Sequence, residues 1–168
     1  MPGKNEGGSA GAKRIEAGKI PPSSGMLAVD LERCHQCGIC ELFCSLYHEG
    51  VCSPAFSRIS LLRNPFTGDG LVETCRQCAY PDCYFVCPVG AIIIDEKTGA
   101  RVIVEEDCIA CGKCAQACPF NNNKTIIKYD KEKEIYFKCH LCYGRETGPI
   151  CVEACPWNAL KFIIDTAD

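Results

Sequence analysis

Short apolar runs, separated by polar loops, set the hydrophobic pattern of this chain. Leu27-Ala28-Val29 predicts a first strand, and Ser57 to Leu62 alternates well enough for another. The clearest hairpin is Ala91-Ile92-Ile93-Ile94, the turn Glu96-Lys97-Thr98-Gly99, and the return Arg101-Val102-Ile103-Val104. Lys124 to Tyr129 and Ile135 to Phe137 repeat the idea around Asp130 to Glu134, a charge run that reads as a solvated turn. Leu160 and Phe162 to Ile164 supply a last strand. None of these runs approaches the roughly twenty apolar residues that cross a bilayer. Met1 to Ser24 is rich in Gly, Lys, Pro and Ser and has no hydrophobic period. The expected organisation is therefore an extended or flexible tail over residues 1–25, or an arm laid on a neighbouring subunit, and one domain over residues 26–168.

The loops between the strands carry the chemistry. Of 17 cysteines, 16 fall into four quartets: Cys34, Cys37, Cys40, Cys44; Cys75, Cys78, Cys83, Cys87; Cys108, Cys111, Cys114, Cys118; and Cys139, Cys142, Cys151, Cys155. The first and third read Cys-x2-Cys-x2-Cys-x3-Cys, the spacing by which bacterial ferredoxins hold 4Fe-4S cubanes. The second and fourth stretch the middle gap. Three quartets close on Cys-Pro, at Pro88, Pro119 and Pro156. Cysteines at intervals of three place thiolates around one corner of a cube, and the fourth, on the following turn, ligates the second cluster of a pair. Gly38 and Gly112 follow the second cysteine of their loops, where the backbone needs freedom for φ > 0. The expected unit is a cysteine loop, a short helix ending in Cys-Pro, and a strand. Repeated four times, it predicts an α+β, loop-rich fold of two ferredoxin-like βαβ-type halves holding four 4Fe-4S clusters. Spacing permits the quartets to pair in sequence or in a nested order, because the second and third connections are both 20 residues long.

Composition narrows the function. In a secreted protein this much cysteine would suggest disulfides, but the N-terminus has charges and no apolar leader core. A cytoplasmic location is expected. The odd cysteine count and the crowding of three thiols within seven residues also fit a metal core better than bridges. Formal charge is −3, which argues against nucleic acid and for basic protein surfaces as partners. No Gly-x-Gly-x-x-Gly, P-loop or activated nucleophile is present, so an electron-transfer role without catalysis is expected. The competing readings are a free polyferredoxin and, from another class, a zinc-stapled assembly module, since Zn²⁺ also accepts four cysteines.

The four quartets, with a stretched second and a longer-looped fourth, resemble the four-cluster ferredoxin-like subunits of bacterial and archaeal oxidoreductases. That group includes the electron-transfer subunits of dimethyl sulfoxide reductase, formate dehydrogenase, carbon monoxide dehydrogenase and hydrogenase-type enzymes. The segment Cys44-Ser45-Leu46-Tyr47-His48-Glu49-Gly50, followed by Pro54-Ala55-Phe56-Ser57-Arg58-Ile59, is similar to the small subunit that accompanies tungsten-containing aldehyde oxidoreductases. The resemblance implies a tungstopterin catalytic subunit and a flavin or other acceptor subunit as partners, with copies of the same polypeptide in a filamentous assembly as a further option. It also implies nested ligation. One cluster takes Cys34, Cys37, Cys40 and Cys155, and its partner takes Cys139, Cys142, Cys151 and Cys44. The inner pair takes Cys75, Cys78, Cys83 with Cys118, and Cys108, Cys111, Cys114 with Cys87. Cys44 departs from the pattern, being followed by Ser45 rather than proline.

Other residues carry weaker expectations. Cys52 reads as a free small residue, and His35 and His140 as surface histidines that could tune a cluster. Trp157 is expected to shield a cluster from water. Arg76, Lys113 and Lys138 flank cysteines and are read either as charges that raise the local potentials or as solvated surface charges, and Asn121-Asn122-Asn123 reads as a turn.

Overall fold

The computed structural model describes Ile15 and residues 19–164; residues 1–14 and 16–18, which hold most of the expected tail, lie outside the described residues. Among the described residues, four two-stranded antiparallel sheets organise the fold. Strands β2 (Ile59–Arg63) and β3 (Gly70–Thr74), β4 (Ile92–Ile94) and β5 (Arg101–Ile103), and β6 (Ile127–Asp130) and β7 (Ile135–Lys138) form local hairpins. The fourth sheet joins the two ends of the domain: β1 (Met26–Val29) pairs with β8 (Leu160–Ile163) in the register Met26↔Ile163 to Val29↔Leu160. β3 lies outside the strands expected from the sequence. Its residues, Gly-Leu-Val-Glu-Thr, have no clean alternation, and it is a strand because β2 supplies its ladder.

The helices show what proline does here. α2 (Asp82–Phe85), α3 (Lys113–Ala117) and α4 (Ile150–Glu153) end before Cys87-Pro88, Cys118-Pro119 and Cys155-Pro156, because proline disfavours the helical region for the residue preceding it. α1 (Ile39–Glu49) has Ser45 where the others have proline, and it runs on to Gly50, which caps it at φ 73°. Ser45 itself is buried, donating to Leu42 O and accepting from Ser53 N–H.

α1 packs on α4, and α2 packs on α3. The core between them is small. Leu27, Ile59, Ile92, Ile94, Ile103, Ile126, Ile127 and Leu160 share it with Cys44, Cys75, Cys87, Cys114, Cys139 and Cys151. A partly buried ion network fastens the elements: Arg58 Nη2 meets Glu49 at 2.9 Å and Glu105 at 2.8 Å, and Lys133 also binds Glu49. The start of the described chain is tied down too. Ile15 N–H donates to the Tyr84 hydroxyl at 2.7 Å, and the carbonyls of Pro21 and Pro22 accept from Arg101.

Candidate iron–sulfur sites

Every cysteine loop makes the same turn. The residue before the second cysteine is left-handed in all four: Gln36 at φ 53°, Gln77 at 49°, Ala110 at 55° and Leu141 at 58°. None is glycine, so each carries strain of roughly 1–2 kcal/mol. Such a turn gathers backbone N–H groups into an anion-binding concavity. Gly38 and Gly112 are also left-handed, at 78° and 72°, and cap α1 and α3 at their N-termini. N–H groups do reach sulfur: Arg58 to Cys44 at 3.3 Å, Tyr136 to Cys108 at 3.4 Å, Leu141 to Cys139 at 3.4 Å, and Ala159 to Cys155 at 3.3 Å.

The thiols gather into four groups. Cys34, Cys37, Cys40 and Cys155 line one well, walled by Trp157. Cys75, Cys78, Cys83 and Cys118 line a second, with Arg101 and Lys138 in its wall. Cys87, Cys108, Cys111 and Cys114 line a third, with Tyr136 in its wall. Cys44, Cys139, Cys142 and Cys151 make a fourth group, all buried and close enough for the other three to act on the Cys151 thiol. In each group three thiols come from one quartet and one from another. β1–β8 pairing and α1–α4 packing bring the first and fourth quartets together, and α2–α3 packing brings the second and third.

The groups also follow one another in space. Cys40 acts on Cys151, Cys75 on Cys139, and Cys114 on Cys83. Lys138 Nζ spans the middle junction, 3.5 Å from Cys75 Sγ and 3.3 Å from the Cys139 carbonyl. The order is thus the Trp157 well, the buried Cys44 group, the Arg101 well and the Tyr136 well. Exposed cysteines occur at the two ends, Cys37 and Cys111.

Without a bound cation, thiolates in these groups are poorly stabilised. Burial, with the fields of neighbouring cysteines added, pushes Cys40, Cys83 and Cys139 up to about 12 and Cys114 up to about 11. Cys151 is also raised, by burial first. A bound polycation removes that penalty by stabilising the thiolates. Burial raises Cys155 as well, but the N–H groups of Ala159, Trp157, Leu160 and Asn158 together outweigh it and hold the thiol low. Among the described residues, no three His, Cys, Asp or Glu side chains close around a single ion. Zinc, at ~2.3 Å from each sulfur, would need the thiols within roughly 4 Å of one another. Thiols spread around wells fit a larger core.

Several flanking residues stand differently from their expectation. His35 is exposed and lies 4.2 Å from the Trp157 ring, on the wall of that well. His140 is half-buried rather than exposed. It packs edge-on to His48 at 5.0 Å, its Nδ1 accepts from Tyr143 N–H, and burial depresses it to about 2. His48, which no sequence motif singles out, lies 3.5 Å from Cys142 Sγ and is depressed to about 3, again chiefly by burial. Lys138 is buried rather than solvated, whereas Lys113 is exposed. Arg76 is exposed and stacks over Phe120 at 4.5 Å. Asn121 is more than a turn residue. Its Oδ1 accepts from Ile126 and Ile127 N–H while its Nδ2 donates to Ala115 and Ile127 carbonyls. Cys52 is exposed and lines none of the three wells. Arg101 and Glu41, both buried beside cysteines, look in the sequence like ordinary strand and helix residues; a lone charge among apolar neighbours is the one signal they offer.

Comparison with known proteins agrees with this picture. Residues 67–164 match the family model described as a 4Fe-4S dicluster domain. The protein is 41% identical to the polyferredoxin-like subunit of an aliphatic sulfonate oxidoreductase of Pyrococcus furiosus, over 79% of this sequence and 73% of that one. It is 36% identical to a putative electron transport protein of Escherichia coli, over 80% and 87%. It is 37% identical to the B subunit of the anaerobic dimethyl sulfoxide reductase of Haemophilus influenzae, over 79% and 70%. Among solved structures, one polypeptide of the BamBC active site complex of benzoyl coenzyme A reductase with 1,5 dienoyl-CoA aligns over 85% of this protein and 77% of its own length, with a TM-score of 0.50 and 21% identity. That likeness is one of fold. No helix among the described residues is long and apolar enough to cross a membrane.

Proposed function

Since this protein belongs to the family of ferredoxin-like 4Fe-4S dicluster proteins, we propose that it is a non-catalytic electron-transfer subunit carrying four 4Fe-4S clusters in a file. The observation that carries the proposal is the succession of four cysteine groups with exposed thiols at the two ends. Each cluster, when bound, supplies a one-electron couple whose potential depends on charge, hydrogen bonds and exposure.

The ligand sets follow the groups: Cys34, Cys37, Cys40, Cys155; Cys44, Cys139, Cys142, Cys151; Cys75, Cys78, Cys83, Cys118; and Cys87, Cys108, Cys111, Cys114. Two nested two-cluster halves result, an outer one closed by β1–β8 and an inner one closed by α2–α3. The remaining residues orient and insulate. Left-handed loop residues aim N–H groups inward, Trp157 and Tyr136 wall the end wells against water, and the Arg58 network fixes α1 on the hairpins. Cys37 and Cys111 mark the entry and exit.

The finer assignment is to a tungstopterin aldehyde oxidoreductase, with this subunit passing electrons between the catalytic subunit and a flavin or other acceptor subunit in the cytoplasm. It is supported by the segment from Cys44 to Ile59. Ser45 lets α1 continue past its cysteine, and Arg58 N–H returns to Cys44 Sγ. Relatives that are subunits of other oxidoreductases make a sulfonate or sulfoxide enzyme the competing partner. Anaerobic purification of the protein with whatever stays attached tests both levels. About sixteen iron atoms per polypeptide and a co-purifying tungsten enzyme are expected. An iron-poor, colourless preparation overturns the electron-transfer reading, and a different attached enzyme overturns only the partner.

A further inference from the structure

We infer that, of the four sites, the one lined by Cys75, Cys78, Cys83 and Cys118 holds an electron most tightly, because Arg101 and Lys138 stand against it as buried cations with no carboxylate partner among the described residues. The inference rests on the iron–sulfur reading above.

Arg101 is 1% exposed. Its Nε donates to the Cys78 carbonyl at 2.9 Å, Nη1 to Pro22 and Gly99 carbonyls, and Nη2 to Pro21 and Ala79 carbonyls at 3.0 and 3.3 Å. Five carbonyls satisfy the donors, but none carries a charge. A guanidinium stays protonated in proteins, and a buried ion with nothing to answer it is strongly destabilising. The groups that answer it are the thiolates around the well. Lys138, 2% exposed, repeats the pattern: its Nζ meets Cys75 Sγ and the Arg101 and Cys139 carbonyls.

The other buried cation among the described residues is arranged differently: Arg58 lies between Glu49 and Glu105, so its field is largely cancelled. Beside the Trp157 well the cation, Arg63, is exposed to water, and the buried charge has the opposite sign. Glu41, 7% exposed, follows Cys40 in the sequence and accepts the Leu61 N–H at 2.8 Å. Reduction adds negative charge to a cluster. In a low-dielectric interior, uncompensated cations favour that added charge and a buried carboxylate opposes it. The Arg101 well lies inside the file, so electrons entering at either end would collect there. A donor of two electrons could then discharge the first before delivering the second.

An anaerobic redox titration of the full, cluster-loaded protein, followed by electron paramagnetic resonance, tests the inference. The signal of most positive midpoint should be altered or abolished by Cys78→Ser and left intact by Cys37→Ser. Lys138→Gln keeps a donor for the two carbonyls but removes the charge. It should lower that midpoint by about 59 mV or more, a tenfold loss of electron occupancy for a one-electron couple, and Lys138→Arg should restore it. Should Lys138→Gln fail to load clusters, the two cysteine variants decide by themselves. If the first signal to appear responds to Cys37→Ser instead, or does not move in Lys138→Gln, the inference is wrong while the electron-transfer reading stands. A wild-type protein with no iron–sulfur signal removes both.

Discussion

Replacing Gly112 with alanine puts the loop geometry to a quantitative test. Gly112 caps α3 at φ 72°, between Cys111 and Cys114. A Cβ there would lie 2.9 Å from the Tyr136 hydroxyl oxygen and 3.4 Å from its Cζ. Two costs follow, and they are separable. The left-handed conformation costs an alanine about 1–2 kcal/mol, whatever its neighbours do. Moving the tip of Tyr136 adds about 1 kcal/mol, in the range for overpacking and off-rotamer side chains. Tyr136→Phe removes the offending oxygen and leaves the Tyr136 backbone bond to Cys108 Sγ in place, so the double variant should recover the second cost and not the first. The assay is the rate of loss of visible absorbance in denaturant under anaerobic conditions. A total of about 2–3 kcal/mol appears there as roughly 30- to 160-fold faster bleaching, with roughly fivefold regained in the double variant. Gly38→Ala is the internal control: its φ is 78°, but its Cβ meets only the flexible Arg63 guanidinium, at 3.3 Å, and the Glu41 carboxylate, at 3.7 Å. It should therefore bleach like the double variant. A Gly112→Ala protein as durable as wild type, or one indifferent to Tyr136→Phe, would refute this account of the loop.

Three further outcomes can be checked. Asn121→Ala strands the N–H groups of Ile126 and Ile127 and should cost about 2–4 kcal/mol in the bleaching assay; Asn121→Asp keeps the acceptor but sets a buried carboxylate against the Ala115 and Ile127 carbonyls and should cost at least as much. Glu49 is raised by burial but held below its ordinary 4.5 by hydrogen bonds from Lys133 and Arg58 and by their charges. Its contribution is therefore complete above pH 4.5 and lost as pH falls through the lower, folded value. Wild type and Glu49→Gln should differ in bleaching rate by a constant amount at neutral pH, and the gap should close in acid. Stripping the clusters anaerobically with a chelator should abolish cooperative unfolding measured by calorimetry, because so much of the core is thiol; an apo protein that still melts in one sharp transition would show that the organic core suffices.

The cysteine quartets, the hairpin β4–β5 and the helix stops at Cys-Pro were legible in the sequence because each depends on residues close together along it. Ligand spacing, turn chemistry and the backbone limits of proline are local. Other features were not legible for the same reason. β3 has no strand signal of its own, and β2 makes it one. Lys138 looks like any solvated lysine until β7 turns it into the Arg101 well. His140 looks like a surface residue until α1 brings His48 against it. Above all, local spacing names three thiols of each group and leaves the fourth open. Pairing of β1 with β8 brings Cys155 to the loop of Cys34, and packing of α2 on α3 carries Cys118 to the loop of Cys75. Those choices belong to contacts between segments far apart in sequence, whose energies come from burial and ladder pairing that no short window of residues contains.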